Sequence, residues 1–171
     1  MRPLLWICVI AGAFAPLAQA QDAPKAEVFA GFSVLSVKFD DSNREGVYGW
    51  QASVAGNPSP AFGLVADFAG QYKTIEGVKV SVYEYLFGPR INARAEKANG
   101  FVHFLLGGAH FSGGGESESG FMLGIGGGVD VRVSPNASIR LLQIDWLPAR
   151  FQGEWSRDPV RFGFGIVFGG G

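Results

Sequence analysis

From residue 121 to residue 133 the chain reads F-M-L-G-I-G-G-G-V-D-V-R-V. One set of alternate positions holds Phe121, Leu123, Ile125, Val129, Val131 and Val133. The other holds Met122, Gly124, Gly126, Gly128, Asp130 and Arg132. A repeat of two belongs to a strand and not to a helix. The second face is what narrows the choice. It consists of glycine and opposed charges, where a sheet wetted by water shows threonine, lysine and glutamate. An apolar exterior around a narrow interior of small and charged residues is the cross-section of a membrane barrel.

The first twenty residues have the layout of a cleaved export signal. Arg2 supplies the positive start, residues 4–17 are apolar, and Ala18-Gln19-Ala20 is a cleavage site before Gln21. The apolar stretch is short for a spanning helix. The expectation is a signal peptide over 1–20 and one barrel domain over 21–171. Of 14 Lys+Arg and 15 Asp+Glu the signal removes Arg2 alone, leaving a formal charge of −2. That balance does not suit a nucleic-acid partner. The signal also removes Cys8, the only cysteine, so disulfides cannot hold the exported domain. A closed barrel satisfies its own backbone in lipid and needs none. No later apolar run is long enough for a transmembrane helix, so a membrane location requires strands.

Eight segments alternate in this way: 27–37, 47–56, 61–72, 80–94, 101–112, 121–133, 138–147 and 160–168. The predicted fold is all-β, an eight-stranded antiparallel up-and-down transmembrane barrel. Pro89 falls within the fourth segment, where a proline calls for a bulge or an edge. Arg140 has the wrong parity to share the charged face of the seventh, which predicts a bulge near Leu141. Short turns are expected at Pro58, Glu96 and Pro135 on the periplasmic side. Longer connections over 38–46, 73–79, 113–120 and 148–158 are expected outside, with 113–120 an open polar loop.

A water-soluble sandwich or lipocalin-like barrel would also have strands with one apolar face. Three features oppose it. Every lysine, Lys25, Lys38, Lys73, Lys79 and Lys97, falls at a strand end or in a turn. Thr74 is the only threonine, although threonine favours exposed strand faces. The large aromatics gather near strand ends: Tyr48, Trp50, Phe68, Tyr72, Tyr83 and Trp146 toward an outer rim, Phe62 and Phe168 toward the other. Two such belts mark the two interfaces of a membrane barrel.

The mid-strand charges share the small-residue face: Glu27, Asp67, Glu84, Arg90, Arg94, Asp130, Arg132, Arg140, Asp145 and Arg161. The interior of a small barrel has room only for side chains, and charges there must pair or meet water. The reading is an interior ladder of opposed charges that plugs the barrel. Its role is structural and not catalytic.

The last strand carries a further pattern. Arg161-Phe162-Gly163-Phe164-Gly165-Ile166-Val167-Phe168 resembles the C-terminal signal of outer-membrane barrels, in which Arg161, Gly163, Ile166 and Phe168 take the polar, glycine, hydrophobic and aromatic positions. Phe87-Gly88-Pro89-Arg90, Gly126-Gly127-Gly128-Val129-Asp130-Val131-Arg132 and Ile139-Arg140-Leu141-Leu142-Gln143-Ile144-Asp145-Trp146 resemble strands of small eight-stranded barrels of the OmpA/OmpX type. The resemblance covers nearly all of the chain after the signal. It implies an outer-membrane location in a Gram-negative-type envelope, with membrane lipid and lipopolysaccharide as surroundings. It also implies that the barrel-assembly machinery reads the C-terminal signal, and that the chain acts as a monomer.

Candidate chemistry is sparse. His110 and Ser112 lie two apart on one strand face, close to Glu116 and Glu118, and resemble the pair used by outer-membrane lipid A deacylases. The family's asparagine after the serine is replaced by Gly113. His103 is expected inside as a packing or hydrogen-bonding group, without metal-ligand spacing around it. Neither a metal nor a cofactor is expected. The favoured function is structural or surface interaction in the cell envelope. A narrow channel for small solutes and a lipid A hydrolase using His110 and Ser112 are the alternatives.

Overall fold

A computed structural model describes residues 23–40, 43–75 and 77–170. The expected signal peptide lies outside these residues. Eight long strands close into a single antiparallel barrel: β1 (Ala26–Asp40), β2 (Asn43–Gly56), β3 (Phe62–Ile75), β4 (Val78–Arg94), β5 (Ala98–Gly113), β6 (Glu116–Ser134), β7 (Ala137–Trp146) and β10 (Val160–Gly170). A hairpin of β8 (Ala149–Phe151) and β9 (Glu154–Ser156) stands between the last two. Each long strand pairs with its neighbour in sequence, and β1 closes the ring on β10 from Ala26↔Gly170 to Ser36↔Val160. The ring leaves no free edge among the long strands, as a backbone surrounded by lipid demands. The predicted architecture is borne out.

Both chain termini of the barrel and the turns near 58, 96 and 135 mark its lower end. The other connections mark the upper end. The upper end departs from expectation. Residues 113–120 are not an open loop, because β5 and β6 stay paired up to Gly113↔Glu116. Gly114 and Gly115 make the turn between them, with φ of 65° and 87°. Two left-handed residues form the turn whose twist matches a hairpin. Strands β3 and β4 likewise stay paired to Ile75↔Val78. Residues 148–158, expected as a loop, contain the β8–β9 hairpin, and β8 extends the β7 side of β6 through Met122↔Ala149.

The expected bulge is present. Val129 pairs with Leu142 and Asp130 with Arg140, so Leu141 is the extra residue. Both leucines face outward, and Arg140 is turned inside. Pro89, expected at a bulge or an edge, has no bulge and stands in a strand paired on both sides. Register is continuous from Phe87↔Leu106 to Arg90↔His103, and Pro89 still pairs with Leu64 on the other side. The interruption lies only toward β5, where one missing N–H removes one rung without an inserted residue.

The faces are inverted relative to a soluble protein. Large side chains such as Phe87, Ile91, Val102, Leu141 and Phe164 are exposed around the outside, while glutamine, arginine and carboxylate side chains are buried within. Such a continuous apolar girdle is far larger than a soluble surface shows. Glycines on this wall admit close neighbours. A Cβ on Gly70 would lie 2.7 Å from Trp50 Nε1, so the indole lies flat over the glycine.

Candidate functional site

The candidate site is the barrel interior, which alternation fills with every second side chain. It has three storeys. The lowest joins β1, β4, β6 and β7. Glu27 accepts from Arg90 and, at 3.0 Å, from Arg94. Arg140 grips both oxygens of Asp130, at 2.7 and 3.0 Å. Its guanidinium is also sandwiched between Phe29 and Phe101, 4.2 and 4.4 Å from the ring centroids. These rings supply apolar cover and cation–π attraction to a charge with almost no water.

The middle storey is centred on Arg161, which has no exposed surface. Its nitrogens reach Glu84 at 2.6 Å, Asp67 at 2.7 Å and Asp145 at 2.7 Å. Gln51 donates to Asp67, Gln143 donates to Asp145, and His103 Nε2 lies 2.7 Å from Asp145 Oδ1. One bridge links the two storeys. Arg140 donates to Gln143 at 2.6 Å, and Gln143 passes the contact to Asp145. The lowest storey has three arginines against two carboxylates. The middle one has a single arginine against three. The link therefore joins a region rich in cations to one rich in anions.

The third storey was not foreseen. Beside Arg161 and toward the upper end much of the interior is apolar: Leu35, Val47, Leu86, Leu105, Ala109, Met122, Leu147 and Ala149 pack together, partly covered by Val37, Val82 and Phe151. The interior is thus not polar throughout. The signal lay in the inward parity of Leu86, Leu105 and Met122. In segments already rich in leucine and aromatics, these look like breaks in alternation.

Of the ten charged residues expected inside, the structure brings together Glu27, Arg90 and Arg94, then Asp130 and Arg140, then Asp67, Glu84, Asp145 and Arg161. Arg132 differs. It shares the strand face of Asp130 but lies two residues nearer the lower turn, and its side chain is exposed there. Of the C-terminal signal, Arg161 and Gly163 face inward and Ile166 and Phe168 outward. The neutral partners Gln51, Gln143, Asn57 and Ser33 carry much of the bonding. Only parity marks Gln51, Gln143 and Ser33 in the sequence, and Asn57 lies in the turn after β2.

His110 and Ser112 share the outer face of β5, but the hydrogen-bonded partner of His110 is Ser119 across the hairpin, at 2.8 Å. Glu116 and Glu118 alternate to the opposite face from Ser117 and Ser119, so no carboxylate joins the pair on its own face. Among the described residues no group of three His, Cys, Asp or Glu is placed to hold a metal.

The outward aromatics form an upper rim. Trp50 Nε1 donates to Tyr72, whose hydroxyl donates to Tyr83 at 3.1 Å. Trp146 donates to the Arg157 carbonyl, and Trp155 stands edge-on to Phe121. Phe62 and Phe168 are exposed at the lower end.

No protein-family model and no curated protein matches the chain by sequence. Solved structures do match in backbone. Neisserial surface protein A superposes with a TM-score of 0.71 at 12% identity, over 87% of this chain and 99% of that one. The N-terminal β-barrel domain of Pseudomonas aeruginosa OprF gives 0.59 at 11%, over 86% and 98%. The attachment invasion locus protein Ail of Yersinia pestis gives 0.57 at 18%, over 85% and 98%. At such identities the common property is the fold, that of eight-stranded outer-membrane barrels.

Proposed function

We propose that this chain is an integral outer-membrane barrel that serves the envelope as a structural or surface-interacting element and not as a conduit. The apolar band with aromatic belts supports the location, the lower end then facing the periplasm. The same reading takes residues 1–20 as the export signal and the last strand as the segment read by the assembly machinery. The barrel works as a monomer among outer-membrane lipid and lipopolysaccharide.

One observation carries the choice against transport. Arg161, Gln71, Asp67, Asp145 and Glu84 have between 0% and 2% of their surface exposed, and apolar side chains pack beside and above them. A hydrated path along the axis would wet these groups. A water-filled lumen belongs to wider barrels. Reconstitution in a planar bilayer is expected to give no conductance steps above the lipid baseline. Steady unitary steps from the purified protein would replace this reading with the channel. Recovery of the protein in the soluble periplasmic fraction would remove the membrane reading altogether.

A further inference from the structure

The lower end of the barrel holds a partly open cavity of about 210 Å³. Engineered cavities near ~150 Å³ already hold a benzene ring, so a ligand of about ten heavy atoms fits. Its wall includes Glu27, Arg94, Asn99, Asp130, Arg132 and Ser138. The bonding capacity left open in this wall is specific. Glu27 has one oxygen on Arg90 and the other on Arg94. Asp130 has both on Arg140. The wall's carboxylates are therefore engaged.

The buried side-chain atoms of this wall left without a partner are one cationic donor and one neutral acceptor. Arg94 has a side chain only 10% exposed, and its Nη2 has no hydrogen-bond partner. Arg132 is exposed at the mouth. Counting Arg90 and Arg140 behind the wall, four guanidiniums meet two carboxylates. This excess raises the local concentration of anions. Asn99, 9% exposed, has an Oδ1 that likewise has no partner. Arg94, Asn99 and Asp130 are successive cross-strand partners on β4, β5 and β6. Residues so paired lie about 5 Å apart at Cβ, within the span of one amino acid.

A matching ligand offers an anionic oxygen pair with an N–H donor beside it and no positive charge of its own. A free amino acid fails on the last count, and inorganic phosphate lacks the adjacent N–H. We propose that this cavity binds the free carboxyl end of an N-acylated amino acid or short peptide. The carboxylate faces Arg94 and Arg132. The terminal amide N–H, one carbon away, faces Asn99 Oδ1. Planar guanidinium suits a carboxylate in this role.

The test uses the ¹⁵N-labelled barrel folded in phospholipid nanodiscs. It is titrated with acetyl-alanyl-alanine, with the same compound as its C-terminal amide, and with inorganic phosphate. Saturable shifts of the Asn99, Arg132 and Ser138 amide signals are expected with the free acid. The amide should bind at least about tenfold more weakly, as loss of a charged hydrogen-bonding partner implies. Arg132→Gln, at an exposed position, should leave the spectrum of the fold intact and weaken the acid about tenfold. Asn99→Ala should weaken the acid and leave phosphate unchanged. Equal binding of acid and amide, acid binding that Arg132→Gln does not alter, phosphate that matches the acid in wild type, or no saturable shift with the acid would each overturn the proposal.

Discussion

Arg161 holds three carboxylates that come from three other strands, and it stands where no water reaches. Removing it leaves Asp67, Glu84 and Asp145 facing one another without their cation. Breaking a buried ion pair by deleting one partner costs about 3–5 kcal/mol. Arg161→Met should therefore lower the stability of the refolded barrel by at least that order, read from its urea midpoint. Arg161→Lys should fall between, since one ammonium cannot fork to three acceptors. Arg132→Gln, outside the buried network, should change stability by less than about 0.5 kcal/mol. The inward direction of these residues was legible from parity alone. Their pairing was not. Arg161 meets Asp67 across 94 residues and Glu84 across 77. The choice among inward carboxylates is made by strand stagger and tilt, which local alternation does not encode.

At the scale of the strand, the bulge at Leu141 absorbs the wrong parity of Arg140. Deleting Leu141 would restore unbroken alternation and set Arg140 next to the outward Leu142, so Arg140 would still face inward and oppose Asp130. The deletion should therefore keep the heat-modifiable folded band on gels. Leu141→Arg would instead put a charge on the lipid face, at a cost of up to about 2–4 kcal/mol, and should lower the urea midpoint. This bulge was visible in the sequence because a charge stood on the wrong face. The upper hairpins were not, because serine, glutamate and glycine have weak strand preference and cross-strand pairing alone orders them. The three-residue strands β8 and β9 are too short to show a period at all. Gly114 and Gly115 fix the β5–β6 turn through their positive φ. Valine at both should cost about 1–2 kcal/mol per residue, again in the urea midpoint. Gly114→Asn should cost far less, since asparagine tolerates that conformation.

Across the whole molecule, charge and aromatic character are distributed by height. Arginine-rich pairs lie low, the carboxylate-rich group sits in the middle, and an apolar plug packs beside it and toward the upper end. The outer wall was legible as a whole, since six or more alternating residues per strand fix which face meets lipid. The plug was hidden, because a leucine that points inward looks like any other leucine in an apolar strand. The tryptophans are unevenly placed too. Trp50, Trp146 and Trp155 all stand on the upper rim or in the hairpin above it, and the fourth, Trp6, belongs to the expected signal. Lipids brominated near the headgroup should quench their emission more strongly than lipids brominated at mid-chain; the reverse order would contradict the placement of the belt. When the unfolded chain is added to one side of a vesicle, the upper end is the one that must be carried through. Its indoles begin in water, pass the hydrocarbon and stop at the far interface. The intrinsic fluorescence of this protein is consequently a one-ended clock, which records the arrival of the leading edge and is blind to the trailing one.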